Sequence, residues 1–112
     1  MALGEGADVV VSAGPYTPGR AAVAAAGEAP LWADVPGDPH AELEAVSRAS
    51  TEPLTPERRA AAHAAFAPVL ARADALSSVS APQRLALLGQ LGAAGRLHPG
   101  PPVHAIPIAF DL

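Results

Sequence analysis

The stretch Ser77–Leu97, SSVSAPQRLALLGQLGAAGRL, decides the fold. It reads as a strand, a turn, a helix and a stop. Ser77, Ser78 and Val79 close an apolar run that begins near Ala75. Ser80 then offers a hydroxyl to the free amides of a first helical turn. Pro82 falls within that turn, where a missing N–H costs nothing. Gln83, three residues after Ser80, completes a capping-box pattern. Leu85, Leu87, Leu88 and Leu91 follow, and only Gln83, Arg84 and Gln90 form a polar stripe. A helix with so narrow a polar face is expected to be largely covered, as when it packs on a sheet. Gly92 and Gly95 offer left-handed stops. Arg96 lies beyond them, near the negative end of the helix dipole.

The flanking sequence carries more units of this kind. Asp8–Ser12, DVVVS, is a β-branched run without alternation, which suits a parallel strand covered on both faces. Ala13-Gly14-Pro15-Tyr16 turns the chain into a short alanine-rich helix over Pro18–Ala26, stopped at Gly27 and Pro30. Leu31–Val35 is a second strand, broken by Pro36-Gly37-Asp38-Pro39. Asp38 caps the next helix, where Leu43 and Val46 fall at helical spacing. After a break at Thr51–Leu54, Thr55 caps a further helix with Pro56 and Glu57 at its start. Ala62, Phe66, Val69, Leu70 and Ala73 form its apolar stripe. Pro68 is expected to kink or split it, because proline removes the bond to Ala64. Ala75–Val79 is the third strand, and the organising helix follows it. His98–Pro102 is a stiff linker to a fourth strand, Val103–Ile106, which Pro107 ends.

The order β-α-β-α-α-β-α-β implies parallel strands joined by right-handed crossovers. The expected fold class is α/β: an incomplete three-layer domain of Rossmann type, with a short parallel sheet of about four strands and covering helices. The 112 residues are enough for one such domain. Hydrophobic residues make up 50% of the chain, but alanine supplies half of that, with two Phe, one Trp and one Tyr. Alanine buries little area, so the core is thin.

The net charge is −4, and the seven basic residues are scattered arginines with no lysine. A nucleic-acid surface needs a clustered basic patch, so no nucleic-acid partner is expected. No run approaches the ~18 apolar residues of a membrane span, and no signal peptide opens the chain. A cytoplasmic location follows as the expectation. The absence of cysteine removes disulfides and thiolate metal sites.

Few chemical motifs survive inspection. Gly4-Glu5-Gly6 precedes a strand and lacks a third glycine, so it is a poor dinucleotide fingerprint. A Walker loop requires the lysine this chain lacks. No Gly-x-Ser-x-Gly elbow exists, which leaves Ser12 as a strand-end hydroxyl. Gly14 and Pro15 leave the carboxyl end of the first strand, where open α/β sheets bind ligands. Asp34, Asp38 and His40 follow the second strand. Asp34 is suited to holding a sugar hydroxyl, acting as a base or accepting turn amides, and Asp38 to capping. Without a defined ligand spacing they are not expected to form a metal site. His98 and His104 are held apart by Pro99–Pro102, and His63 sits in an alanine helix as a solvated or packed side chain. Arg84, in a first helical turn, and Arg96 are either phosphate contacts or surface arginines.

Four segments carry a resemblance: ADVVVSAGPYTPGRAA, PLWADVPGDPHAELEA, ALSSVSAPQRLALLGQLGAAGRL and HAIPIAFDL. Their order resembles the N-terminal domain of a subset of bacterial GT-B glycosyltransferases. Those enzymes place a strand, a Gly-Pro turn, a Trp-x-Asp-x-Pro-Gly-Asp segment and a Ser-x-x-Gln-Arg helix in this sequence. The resemblance implies an internal piece of a transferase, without the C-terminal domain that mainly holds the nucleotide sugar and without strands before Ala7. Carried over by position, Gly14, Pro15, Asp34 and Arg84 would lie near the interdomain cleft. No cofactor is implied, and nucleotide sugar and acceptor would be partners only of a complete enzyme, the piece alone being inactive. The alternative expectation is a non-catalytic α/β interaction module that self-associates or pairs with another subunit through an incomplete sheet.

Overall fold

A computed structural model describes residues 5–109. These residues form four strands and four helices, with two helices in succession between the second and third strands. They are β1 Val10–Ala13, α1 Thr17–Ala26, β2 Leu31–Asp34, α2 Pro39–Ala49, α3 Pro56–Arg72, β3 Ala75–Ser78, α4 Ala81–Ala93 and β4 Val103–Ala105. The strands form one sheet in the order β1-β2-β3-β4, and every pair is parallel. The α/β class, the four parallel strands and the covering helices are those the sequence leads one to expect. The Gly4 half of the poor dinucleotide pattern and the end of the HAIPIAFDL segment lie outside the described residues.

Helix starts follow their caps. Asp38 Oδ1 accepts from the amides of His40 and Ala41 at 3.0 and 3.3 Å. Thr55 Oγ1 accepts from Arg58 N at 3.2 Å, and Ser80 Oγ from Gln83 N at 3.3 Å. Only half of the capping box forms, because the Gln83 side-chain oxygen is buried with no hydrogen-bond partner. At the other end of α4, Gly95 takes φ +72°. Its amide bonds Gly92 O and the Arg96 amide bonds Leu91 O, a Schellman closure. The stop is therefore Gly95, and Gly92 stays inside the helix.

A sheet whose strands follow one another in sequence order receives all its right-handed crossovers on one side. The core shows this side. Ala33 and Val35 of β2 and its exit, Leu76 of β3 and Val103 of β4 pack with Phe66, Val69 and Leu70 of α3 and with Leu87 and Leu91 of α4. Leu31 joins Ala22 and Ala26 of α1 in a smaller cluster. Of the residues of opposite parity, Val11 is 55% exposed and Trp32 38%, while Ser77 is buried. The incomplete part of the domain is thus its third layer. DVVVS does not lie in a sheet covered on both faces among the described residues, although its sequence reads that way.

Three local expectations change. The helix α3 runs unbroken across Pro68, held by buried Phe66 on one side and buried Val69 and Leu70 on the other. The helix α4 is one-sided, since Leu85 is 64% exposed while Leu87 and Leu91 are buried. The Arg96 side chain does not serve its own helix. Its Nη1 donates to Leu70 O and Ala73 O, at 2.5 and 3.1 Å, and so satisfies carbonyls at the end of α3. Among the described residues no helix is long and apolar enough to cross a membrane.

Candidate functional site

The strand register sets Ala13, Asp34, Ser77 and His104 side by side at the carboxyl ends of the four strands. Their parity is that of Trp32, so they belong to the uncovered face. Ser77 is fully buried and lies at the centre of a short relay. Trp32 Nε1 donates to Ser77 Oγ at 2.8 Å, and Ser77 Oγ donates to Asp34 Oδ1 at 2.6 Å. The hydroxyl thereby uses its donor and an acceptor lone pair together. The result is an indole and a carboxylate held in fixed relation on a rigid sheet, which is the pre-organisation a binding site needs.

Gly14 follows at the end of β1. Its amide donates to Asp34 O at 3.0 Å, while Ser12 Oγ donates to Gly14 O at 2.8 Å. Its φ of +127° is open to glycine and strained for any residue with a Cβ. Gly14, Pro15 and Asp34 therefore meet at adjacent strand ends, as their sequence positions suggest. Arg84 does not join them. Its Nε donates to the Val103 carbonyl at 2.7 Å, on the far edge of the sheet. The Arg84 Nε and the Arg96 Nη1 are thus both engaged by backbone carbonyls of other elements.

The Asp34, Asp38 and His40 that follow the second strand go to different partners. Asp38 caps α2 and also accepts from Gln90 Nε2 at 3.3 Å, which ties α2 to α4. His40 turns away and stacks on His63 of α3, with ring centroids 3.9 Å apart, beside the edge of Phe66. These rings, with Gln90, Ala67 and Leu70, line an open pocket between α2, α3 and α4. The Gln90 side-chain oxygen is buried there without a partner. Burial of the His40 ring, then the neighbouring His63, lowers its pKa, and Asp38 opposes them. Among the described residues no group of three or more His, Asp or Glu side chains is placed to hold a metal ion.

Tyr16 fixes the turn after Gly14. Its hydroxyl donates to Pro39 O at 2.6 Å, and burial, with Glu42 and Asp38 nearby, raises its pKa. At the opposite end of the sheet Arg72 and Asp74 form a clamp. Asp74 Oδ2 accepts from Leu31 N at 2.8 Å and from Arg72 Nη1 at 2.6 Å. Arg72 Nη2 reaches Ala29 O at 2.6 Å. The amide of Leu31, then Arg72, holds the Asp74 carboxyl below the usual aspartate range. The clamp joins the loops that enter β2 and β3 and leaves the carboxyl ends open.

Sequence reasoning missed Trp32 and Ser77 as partners of Asp34, and the His40–His63 stack. The signal for the relay was the parity shared by Trp32 and Asp34 within one short strand. The signal for the stack was weaker, a histidine at the start of one helix and another on the next.

No protein-family model, no curated protein and no solved structure matches this chain.

Proposed function

We propose that this chain is the acceptor-side part of a GT-B glycosyltransferase, moving a sugar from a nucleotide donor to a hydroxyl once a donor-binding domain completes the cleft. The observation that carries the reading is the Asp34 carboxylate, oriented by Ser77 beside the Gly14 turn at the carboxyl ends of the strands. Ligands of open α/β sheets bind at such ends. Asp34 would accept from an acceptor hydroxyl and orient it, the Gly14 backbone would allow close approach, and Pro15 would stiffen the rim. Arg84 serves this reading only by closing the sheet edge at Val103. A cytoplasmic setting suits a nucleotide-sugar donor.

Saturation-transfer NMR with simple methyl hexosides tests this reading. Transfer from the Trp32 ring protons to the glycoside is expected for the wild type and is expected to vanish in Asp34→Asn. Uridine diphosphate alone is expected to show none. Absence of transfer from every glycoside, or saturable binding of uridine diphosphate alone, would overturn the reading in favour of a different module.

The bare sheet face favours a second reading, a non-catalytic interaction module. Exposed Val11 and Trp32 stand where α/β sheets ordinarily carry a further layer.

A further inference from the structure

The two edges of the sheet are built differently. The β4 edge is guarded. It is three residues long, Pro101 and Pro102 precede it, and Pro107 follows it. Its outward Val103 carbonyl is already taken by Arg84 Nε. Short length, proline and an occupied backbone group are devices that stop a strand from recruiting another. The β1 edge is also short, at four residues, but it holds no proline, and among the described residues its outward backbone groups have no partner. Val10 and Gly14 donate inward, to Pro30 O and Asp34 O. Backbone groups alternate in direction along a strand, so those of Val11 and Ala13, and of Val9 just before the strand, point outward. No described segment pairs with that edge. The side chains of Val9 and Val11 are 51% and 55% exposed, and no charge lies between Val9 and Ala13. This is the sequence of an interior strand placed at an edge.

We propose that the outer edge of β1 pairs with β1 of a second copy of this chain, antiparallel about a two-fold axis. The partner fits because the edge is self-complementary. With Val11 opposite its own counterpart, Val9 faces Ala13 and Asp8 faces Gly14 of the other copy. The outward N–H and C=O groups of Val9, Val11 and Ala13 then find partners, and the two Asp8 carboxylates lie at opposite ends of the pairing. Isologous contact uses the same edge on both copies and closes at two, while the guarded β4 edge keeps the assembly from growing into a fibre. The pairing does not depend on the transferase reading, and it gives the interaction-module reading a definite surface.

Sedimentation equilibrium over a wide concentration range tests it. The mass is expected to rise from 11.2 kDa towards twice that value. Val11→Lys, a common edge guard, is expected to remain at the monomer mass with an unchanged far-UV spectrum, and Val11→Thr to keep the dimer. Amide exchange at Val11 and Ala13 in the unmodified chain is expected to slow as concentration rises, while exchange at Val103 does not change. That measurement holds even where the lysine variant fails to fold. A monomer at every concentration overturns the pairing, as does a dimer that leaves Val11 exchange unchanged and shields Trp32 instead. Either result leaves the transferase reading standing, because that reading fails only on the glycoside and uridine diphosphate titrations.

Discussion

The two faces of the sheet come from the same four strands and have opposite characters. One carries Leu31, Ala33, Val35, Leu76 and Val103 into contact with three helices and is buried. The other carries Val11, Trp32, Asp34, Ser77 and His104, and there Trp32, Ser77 and Asp34 hydrogen-bond one another. The apolar core therefore lies on the first face and the Trp32–Ser77–Asp34 relay on the second. A domain this rich in alanine has little apolar area to spare, and it spends what it has on one side.

Substitutions separate the faces, beginning with the core. Phe66 is fully buried between α3 and the sheet. Phe66→Ala is expected to cost about 3–5 kcal/mol in urea unfolding, enough to unfold much of a thin domain. Trp32→Ala on the open face removes a larger side chain. It is expected to cost much less, because the indole is already partly in water. Equal losses would abolish the distinction between the faces.

Overpacking the helical side has the next largest effect. A Cβ on Gly19 would stand 2.6 Å from Val69 Cγ2 and 3.0 Å from Gly14 O, where α1 crosses close to α3 and β1. Gly19→Ala is expected to lose about 1–3 kcal/mol through that clash, although alanine is the better helix former. Thermal melting of the variant checks the sign.

On the open face, Ser77→Ala removes the hydroxyl that joins Trp32 to Asp34. A net cost of about 1 kcal/mol is expected for the hydrogen bonds lost. The more specific readout is Trp32 fluorescence, which should change as the indole loses its anchor. An unchanged spectrum would mean that the relay does not orient the ring.

The smallest expected effect concerns pH. His40 has a folded-state pKa below its ordinary value near 6.5, chiefly from burial. The unfolded chain therefore takes up this proton first as pH falls. The stabilising contribution is full above about 6.5 and declines below it. His63 on α3 adds repulsion once His40 is charged, Asp38 offsets part of it, and Phe66 and Gln90 are the remaining neighbours across the pocket. Urea midpoints between pH 7 and pH 5 are expected to fall more steeply for the wild type than for His40→Phe.

Much of the architecture was legible from local chemistry. Asp38 before Pro39, Thr55 before Pro56 and Ser80 before Pro82 each mark a helix start, and Gly95 marks a stop. With apolar runs between them, these signals give the order of elements and the parallel sheet. The position of Gly14, Pro15 and Asp34 at strand ends was legible too, because strand ends are local features. The lost information was cross-chain. Ser77 meets Trp32 and Asp34 only through the β2–β3 register, more than forty residues away in sequence. Arg84 and Arg96 read as free cations, yet each caps backbone carbonyls of another element. A helix sequence does not say which distant carbonyl its arginine will find. That the bare face belongs to this strand was hidden for the same reason: DVVVS looks alike whether its second face is covered or open.

Acrylamide quenching of the fluorescence of Trp32, the one tryptophan in the chain, tests the contrast between the faces most directly. A two-faced sheet with one side open predicts that acrylamide quenches the native emission strongly, at a substantial fraction of the efficiency seen in urea. Native emission as resistant to quenching as that of a fully buried indole would show that the second face is covered, and would contradict it.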